Sequence, residues 1–187
     1  HTTITEVTVW YNKLETISVD GATVIFEGAV ESQLLDIKAK SKASLTLSIN
    51  ALDTLVECTG KSSLSLSGQS RYFKLAISTA TMSGFDLKTV AANIDASHDA
   101  EVRISVSERL EAITYTSAQI YYKGEPVIYL IEGEKTLLIL CEEGIEEYEP
   151  EAEYMANVTI ECFDEAEQLT EERLRARALR SGAERIV

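Results

Sequence analysis

Apolar and polar residues alternate over short stretches of this chain, and one short phrase returns about every twenty residues. The phrase has a small residue in second place, a large apolar residue in fourth place and another apolar residue two positions later. It occurs at Gly21–Phe26, Lys42–Leu47, Lys61–Leu66, Met82–Leu87, Asp99–Ile104 and Ser117–Tyr122. The small residues are Ala22, Ala43, Ser62, Ser83, Ala100 and Ala118. A fixed period of this length is typical of a repeat architecture.

The alternation within each phrase has a period of two, which indicates β-strands. The fourth-place residues are separated by 17 to 21 positions, and no amphipathic helical stretch occurs before about residue 164. We therefore predict an all-β parallel solenoid whose coils of about 19–20 residues stack on one another, with the small residue at a tight corner. An antiparallel sandwich is the rival interpretation, although it does not require a small residue at one point of every second strand.

The C-terminal third fits the phrase less well. Glu134–Ile139 and Met155–Ile160 match in part, with Leu137 and Val158 in fourth place. The predicted solenoid therefore spans residues 1–163, with clear repeats over 1–126 and a continuation over 127–163 that contains an acidic loop at 142–153. At the other end, the alternating segment Thr2–Tyr11 is expected to start or cap the stack.

Residues 164–187 are predicted to form a separate C-terminal helix and tail. Asp164 and Glu167 have the spacing of a capping box, and arginines fill the second half of the Asp164–Arg180 segment, as favoured by the helix dipole. We expect this helix to cap the open end of the solenoid; a partner-binding helix is the alternative.

Charge excludes some partners. The formal net charge is −14, and residues 142–167 contain eleven acids and no base. Such a surface repels phosphate backbones and anionic lipids, so nucleic acid is not an expected partner. No apolar run is long enough for a transmembrane helix. The chain starts at His1, so we expect that an N-terminal segment precedes it in the precursor.

The three cysteines form no CxxC pair and lie far in sequence from both histidines, so we predict no metal and no cofactor. Cys141 and Cys162 each follow an expected fourth-place residue by four positions. If those coils stack in register, the two Cα atoms would be about 5 Å apart, within disulfide range. Free thiols are the favoured interpretation.

Few residues suggest catalysis. Asp86, Asp95, Asp99 and Glu101 are carboxylates on neighbouring predicted coils, with Lys88 and Arg103 nearby. Glycoside cleavage needs two such groups facing one groove, but solvated acids are the favoured interpretation. His98 lies between Ser97 and Asp99, yet consecutive strand residues point to opposite faces, which argues against a triad.

Four tyrosines cluster around the end of the sixth repeat: Tyr115, Tyr121, Tyr122 and Tyr129. Tyrosines on a flat sheet commonly contact sugars or proteins, so these residues are the candidate ligand surface. The alternative is that some belong to the core and others to ordinary strand surface.

The repeats, and above all their ending YYKGEP at Tyr121–Pro126, resemble the head GIN domain of putative auto-transporter adhesins. The family's phrase is close to Gly-Ser-Asp-Leu, and its last repeat closes on Tyr-x-Gly-x-Pro, matched here by Tyr122, Gly124 and Pro126. The resemblance covers about residues 14–126. It implies a right-handed parallel β-helix with an adhesive role in a bacterial surface or periplasmic protein, often a lipoprotein.

We therefore predict a non-enzymatic solenoid at the cell surface, outer membrane or periplasm, which binds a protein or carbohydrate through flat sheet faces. Self-association through sheet edges or the C-terminal helix would be compatible with this role. The alternative is a carbohydrate-active β-helix enzyme, a polysaccharide lyase or hydrolase.

Overall fold

The computed structural model describes residues 7–130 and 136–141, and the backbone of three short pairs at 154–155, 158–159 and 162–163. All regular elements in these ranges are β-strands. They are β1 (Thr16–Asp20), β2 (Thr23–Lys40), β3 (Ser44–Thr59), β4 (Ser63–Ser78), β5 (Thr81–Ser97), β6 (Glu101–Thr114), β7 (Gln119–Lys123), β8 (Val127–Leu130), β9 (Thr136–Cys141), β10 (Tyr154–Met155), β11 (Val158–Thr159) and β12 (Cys162–Phe163).

All pairings among β1–β9 are parallel, which confirms the solenoid and excludes the antiparallel sandwich. The two-residue strands β10 and β11 pair antiparallel. The order β1-β2-β3-β4-β5-β6-β7-β9 follows the chain, with β8 beside β6, and makes about six turns. From Leu45 to Leu64 one turn takes 19 residues, and from Val102 to Ile120 it takes 18. Turns of this length match the predicted period. The right-handed winding implied by the family resemblance stays a prediction.

Each long strand contains two runs of alternation joined by a bend. In β3, the residues Leu45, Leu47 and Ile49 point inward, and after a one-residue shift of phase at the bend Thr54, Val56 and Cys58 point inward. Equivalent residues of successive turns stack. One such column contains Leu45, Leu64, Met82, Val102, Ile120 and Leu138, each at most 1% exposed. Burying a side chain of this size contributes about 1.5–3 kcal/mol, so the columns form the core.

The small residues lie at a corner between turns, as predicted. Ala43, Ser62, Ala100 and Ala118 are all buried there. The residue before each of them has a positive φ. At the first three of these corners its N–H also donates to the next turn, as from Lys42 N to Gly60 O at 2.8 Å. A larger side chain at such a site would meet the adjacent corner, because the backbones of neighbouring turns lie only about 4.8 Å apart.

The phrase of the fourth repeat lies three residues earlier than predicted. The register pairs Ser62 with Ala80 through the adjacent Ser63–Thr81 pair, and Leu64 with Met82. Ala80 is therefore the buried corner residue, whereas Ser83 is exposed and Phe85 lies in a bulge. The predicted position is wrong because Phe85, a second large apolar residue, follows Met82 by three positions and matches the phrase.

The stack continues beyond residue 126, but its register differs from the prediction. Ile120 pairs with Leu138 instead of Leu137, and Val158 pairs with Thr136. The parallel pairing of β9 with β11 and β12 supports the predicted continuation. The acidic loop at 142–153 and the helix at Asp164–Arg180 lie outside the described residues, so the division at residue 163 stays a prediction.

The described part of the N-terminal alternation, residues 7–11, forms no strand. Val7, Val9 and Trp10 are 75%, 73% and 88% exposed, and the first described strand begins at Thr16. Tyr11 contacts the stack through an edge-to-face arrangement with Phe26, at 5.9 Å between ring centroids. An alternating pattern is sufficient for a strand only where a neighbouring strand can cover its apolar side.

Candidate functional site

Outward-facing residues also stack into columns, and the bend divides them into two faces. The first face carries the outward residues before the bend, and the second face carries those after it. On the first face, hydroxyl side chains lie in register over three turns: Ser44 with Ser63 and Thr81, and Thr46 with Ser65 and Ser83. This part of the first face is uncharged, in contrast to the strongly acidic chain as a whole.

Charged and aromatic residues replace the hydroxyls further along the first face. Arg103 forms an ion pair with Glu101, and its guanidinium carbon lies 5.2 Å from the ring centroid of Tyr121. The Tyr121 hydroxyl donates a hydrogen bond to Gln119 Oε1 at 2.7 Å. These contacts restrain the Tyr121 side chain, so its ring is a fixed part of the first face.

The second face contains a depression around Ala91. Ala91 lies in register between Tyr72 of the preceding turn and Arg109 of the following turn. Its methyl group is much shorter than either neighbour and leaves a hollow of about 390 Å³. Asp53, Leu55, Lys74, Asn93 and Glu111 are among the other residues that line it. The hollow thus combines an exposed aromatic ring with hydrogen-bond donors and acceptors.

Side-chain contacts fix one side of the depression. Arg109 forms an ion pair with Glu111, and its guanidinium carbon lies 4.5 Å from the ring centroid of Tyr129. Asn93 Nδ2 donates to Glu111 Oε2 at 2.6 Å. The hydrogen bond from Asn93, followed by the contacts with Arg109, lowers the pKa of Glu111 below its ordinary value. Glu111 is therefore an ionised acceptor at neutral pH.

A long groove follows the bend along the solenoid axis, with a volume of about 1320 Å³. One edge is the outward column Asn50, Gln69, Lys88, Ser105 and Lys123, which Glu31 precedes by one turn outside the lining of the groove. Asn50 Nδ2 donates to Glu31 Oε2 at 2.8 Å, and Gln69 Nε2 donates to Asn50 Oδ1 at 2.8 Å. We call this feature the bend groove.

The four predicted tyrosines do not share one surface. Tyr121 lies on the first face and Tyr129 on the second face, while Tyr115 is half-buried beside a corner. Tyr122 is only 3% exposed and belongs to the core. Tyr72, which lies outside the repeated phrases, is not predicted from the sequence as a surface residue, yet it is 48% exposed beside the depression. Its outward position follows from the shift of phase at the bend, which local alternation does not reveal.

The candidate catalytic groups are also dispersed. Glu101 pairs with Arg103 on the first face, Asp95 lies on the second face, and Asp86 lies in the bulge beside the bend groove. Asp99 and His98 form a corner with positive φ, where His98 Nδ1 lies 3.3 Å from Ser78 Oγ. Within the described residues, no group of three His, Cys, Asp or Glu side chains could hold a metal ion.

Neither of the two described thiols, Cys58 and Cys141, shows a sign of activation. Burial raises the pKa of the Cys58 thiol to about 11, and burial also raises that of Cys141 despite the opposing charges of Lys123 and Arg103. Cys141 is a free thiol, and the register pairs Cys162 with Leu140, one position away from Cys141. The in-register arrangement that would favour a disulfide is therefore not present in the backbone.

A family described as "Putative auto-transporter adhesin, head GIN domain" matches residues 1–126. The chain belongs to this family. The match and the solenoid fit a non-enzymatic, adhesin-like role and suggest a location at or beyond the cell surface. No curated protein and no solved structure matches the chain.

The closing motif of the head GIN domain has a structural explanation here. Tyr122 and Pro126 are buried, and Gly124 has a φ of +99°. A Cβ atom on Gly124 would lie 2.1 Å from the carbonyl oxygen of Val106. The motif therefore allows the chain to pass closely over the preceding turn at the bend, and it is part of the scaffold.

None of the described segments is a helix long and apolar enough to span a bilayer.

Proposed function

We propose that this chain is a non-enzymatic adhesion domain of the bacterial cell surface or periplasm, which binds carbohydrate or protein through the faces of its solenoid. Membership of the head GIN domain family supports the adhesive role. The fold supports it as well, because side chains on a stacked parallel sheet keep fixed positions and lose little conformational entropy on binding.

The depression around Ala91 is the observation that carries this proposal. Tyr72 offers an exposed ring, and aromatic rings pack against the apolar faces of sugars. Asn93, Glu111 and Arg109 are held together by hydrogen bonds and an ion pair, so they offer a preorganised set of donors and acceptors. A hollow of about 390 Å³ fits one or two sugar rings of a larger surface glycan.

Filling the depression should weaken carbohydrate or protein binding without unfolding the domain. We expect Ala91→Arg to weaken binding on a glycan array or to bacterial and host cell surfaces at least about 10-fold, since it occupies the hollow. Ala76→Arg is the matched control, because Ala76 is exposed on the same face but does not line the depression. Equal binding by the two variants would refute a role for this hollow.

Incubation of the purified protein with a bound polysaccharide distinguishes the adhesion domain from the enzymatic alternative. A polysaccharide lyase or hydrolase would release oligosaccharides from a bound polymer, whereas an adhesion domain retains the polymer intact. Release of cleaved products by purified protein, lost in an Asp86→Asn or Glu101→Gln variant, would replace the adhesive assignment.

Anchoring and assembly belong to the same proposal. An outer-membrane or periplasmic position, with or without a lipid anchor, predicts that the protein fractionates with the cell envelope. Self-association through sheet edges or the C-terminal segment predicts a concentration-dependent mass by light scattering, and a constant monomer mass would refute it.

A further inference from the structure

We propose that the bend groove is a second binding site, which takes a linear carboxylated polysaccharide along the solenoid axis. It is distinct from the depression on the second face, and it does not depend on that site. The proposal is carried by the shape of the groove, the charges along it and its fixed amide groups.

The groove has the shape of a site for an extended polymer. Its lining extends from Asn50 in β3 to Cys141 in β9, so it crosses six consecutive levels of the stack. With about 4.8 Å between levels, this gives a track of about 24 Å. Such a length suits several units of a linear chain better than one small molecule.

Basic residues recur along this track. Lys88 and Lys123 lie in the same column with Ser105 between them, so they are two levels, or about 10 Å, apart. Neither ammonium group forms an ion pair within the described part of the chain. Arg71 lines the groove one turn before Lys88.

The acids of the groove do not cancel these charges. Asp86 and Glu125 are the two carboxylates in its lining, against three basic residues. Lys123 and the neighbouring Arg103 also act on the Cys141 thiol at the end of the groove, where their charges oppose the effect of burial on its pKa. A locally positive track on a chain of net charge −14 is the expected complement of an acidic ligand.

Two fixed features give the groove its specificity. The Glu31–Asn50–Gln69 ladder holds both amides in one orientation, and the Gln69 carbonyl oxygen is left as an acceptor for a hydroxyl group. The ammonium group of Lys123 lies 4.6 Å from the ring centroid of Phe85, which projects from the bulge in β5. Alternating hydroxyls and carboxylates along a uronic acid chain match this set of acceptors and cations.

The test compares polygalacturonate with its fully methyl-esterified form, which has the same backbone without the charges. We expect the protein to bind polygalacturonate in low salt, and to bind the ester at least about 10-fold more weakly. The double variant Lys88→Gln, Lys123→Gln should weaken binding to polygalacturonate about 5- to 30-fold, as expected for the loss of two solvent-exposed ion pairs.

The control is the double variant Lys40→Gln, Lys61→Gln, which changes the net charge equally at exposed positions outside both the groove and the depression. It should retain binding within about twofold. Equal loss in both double variants, equal affinity for the ester, or tighter binding to polyuridylate than to polygalacturonate would each overturn the proposal. Ala91 does not line the groove, so Ala91→Arg should leave binding to polygalacturonate unchanged. Failure of the groove proposal is therefore distinguishable from failure of the adhesion proposal.

Discussion

Gly124 shows how one residue determines the path of the chain at the bend. Its φ of +99° lies in a region that glycine adopts readily, and the Val106 carbonyl leaves no room for a methyl group. The neighbouring Tyr122 and Pro126 then anchor the segment by burial. What looks in the sequence like a signature of function is therefore a requirement of packing.

We expect Gly124→Ala to destabilise the protein by about 2–4 kcal/mol, because backbone strain adds to the clash with Val106. Gly28→Ala is the matched control: Gly28 has a φ of +78°, but nothing lies within 4 Å of an added Cβ atom. Gly28→Ala should lower the free energy of unfolding by only about 1–2 kcal/mol. Urea denaturation measures both values, and equal losses would show that contact with Val106 is unimportant.

At the scale of the element, the corner determines where each strand begins. The backbone turns through a residue of positive φ, and a small buried residue follows at once. Serine is tolerated at one buried corner because the Ser62 hydroxyl donates a hydrogen bond to Thr59 O at 2.5 Å. The corner is thus specified by size and by hydrogen bonding, and it tolerates several residue types.

A larger side chain at a corner should lower the stability of the protein only where another turn covers that corner. We expect Ala43→Leu to destabilise the protein by about 1–3 kcal/mol through overpacking. Ala22→Leu should change stability by less than about 0.5 kcal/mol, because Ala22 has the same place in its phrase but is exposed. Thermal unfolding of the two variants gives the comparison, and a similar cost at both positions would contradict the account of the corner.

The sequence predicted the strands and their stacking, because period-two alternation and the small corner residues are both local signals. It did not predict register where two apolar residues lie close together. The phrase places Phe85 and Leu137 in the core column, whereas the structure has Met82 and Leu138 there. Hydropathy alone does not distinguish the two residues of either pair. The depression around Ala91 was missed for a related reason: it results from three neighbouring turns, and no single segment encodes it.

At the scale of the whole molecule, stability is distributed along a stack. Interior strands such as β4 pair on both sides, while β1 pairs only with β2 within the described residues. In such an arrangement each turn is stabilised mainly by its immediate neighbours. Local opening should therefore start at an end and proceed inward.

We expect amide hydrogen exchange to be slowest in β3, β4 and β5 and markedly faster in β1. Exchange followed by mass spectrometry of peptides from each strand measures this gradient. A Leu75→Ala substitution in the centre should accelerate exchange in β3 and β5 as well as in β4, because Leu75 is fully buried between them. Uniform protection from β1 to β6 would instead indicate a single cooperative unit.

The bulge in β5 shows that the turns need not have equal lengths. Phe85, Asp86 and Leu87 have no partners in β6, yet pairing resumes at once between Lys88 and Ser105. Extra residues are thus absorbed in a bulge just before the bend while the core columns remain aligned. Insertions at this point are therefore a route by which related proteins can diversify the lining of the groove, and the same point is suitable for grafting a foreign peptide onto the scaffold.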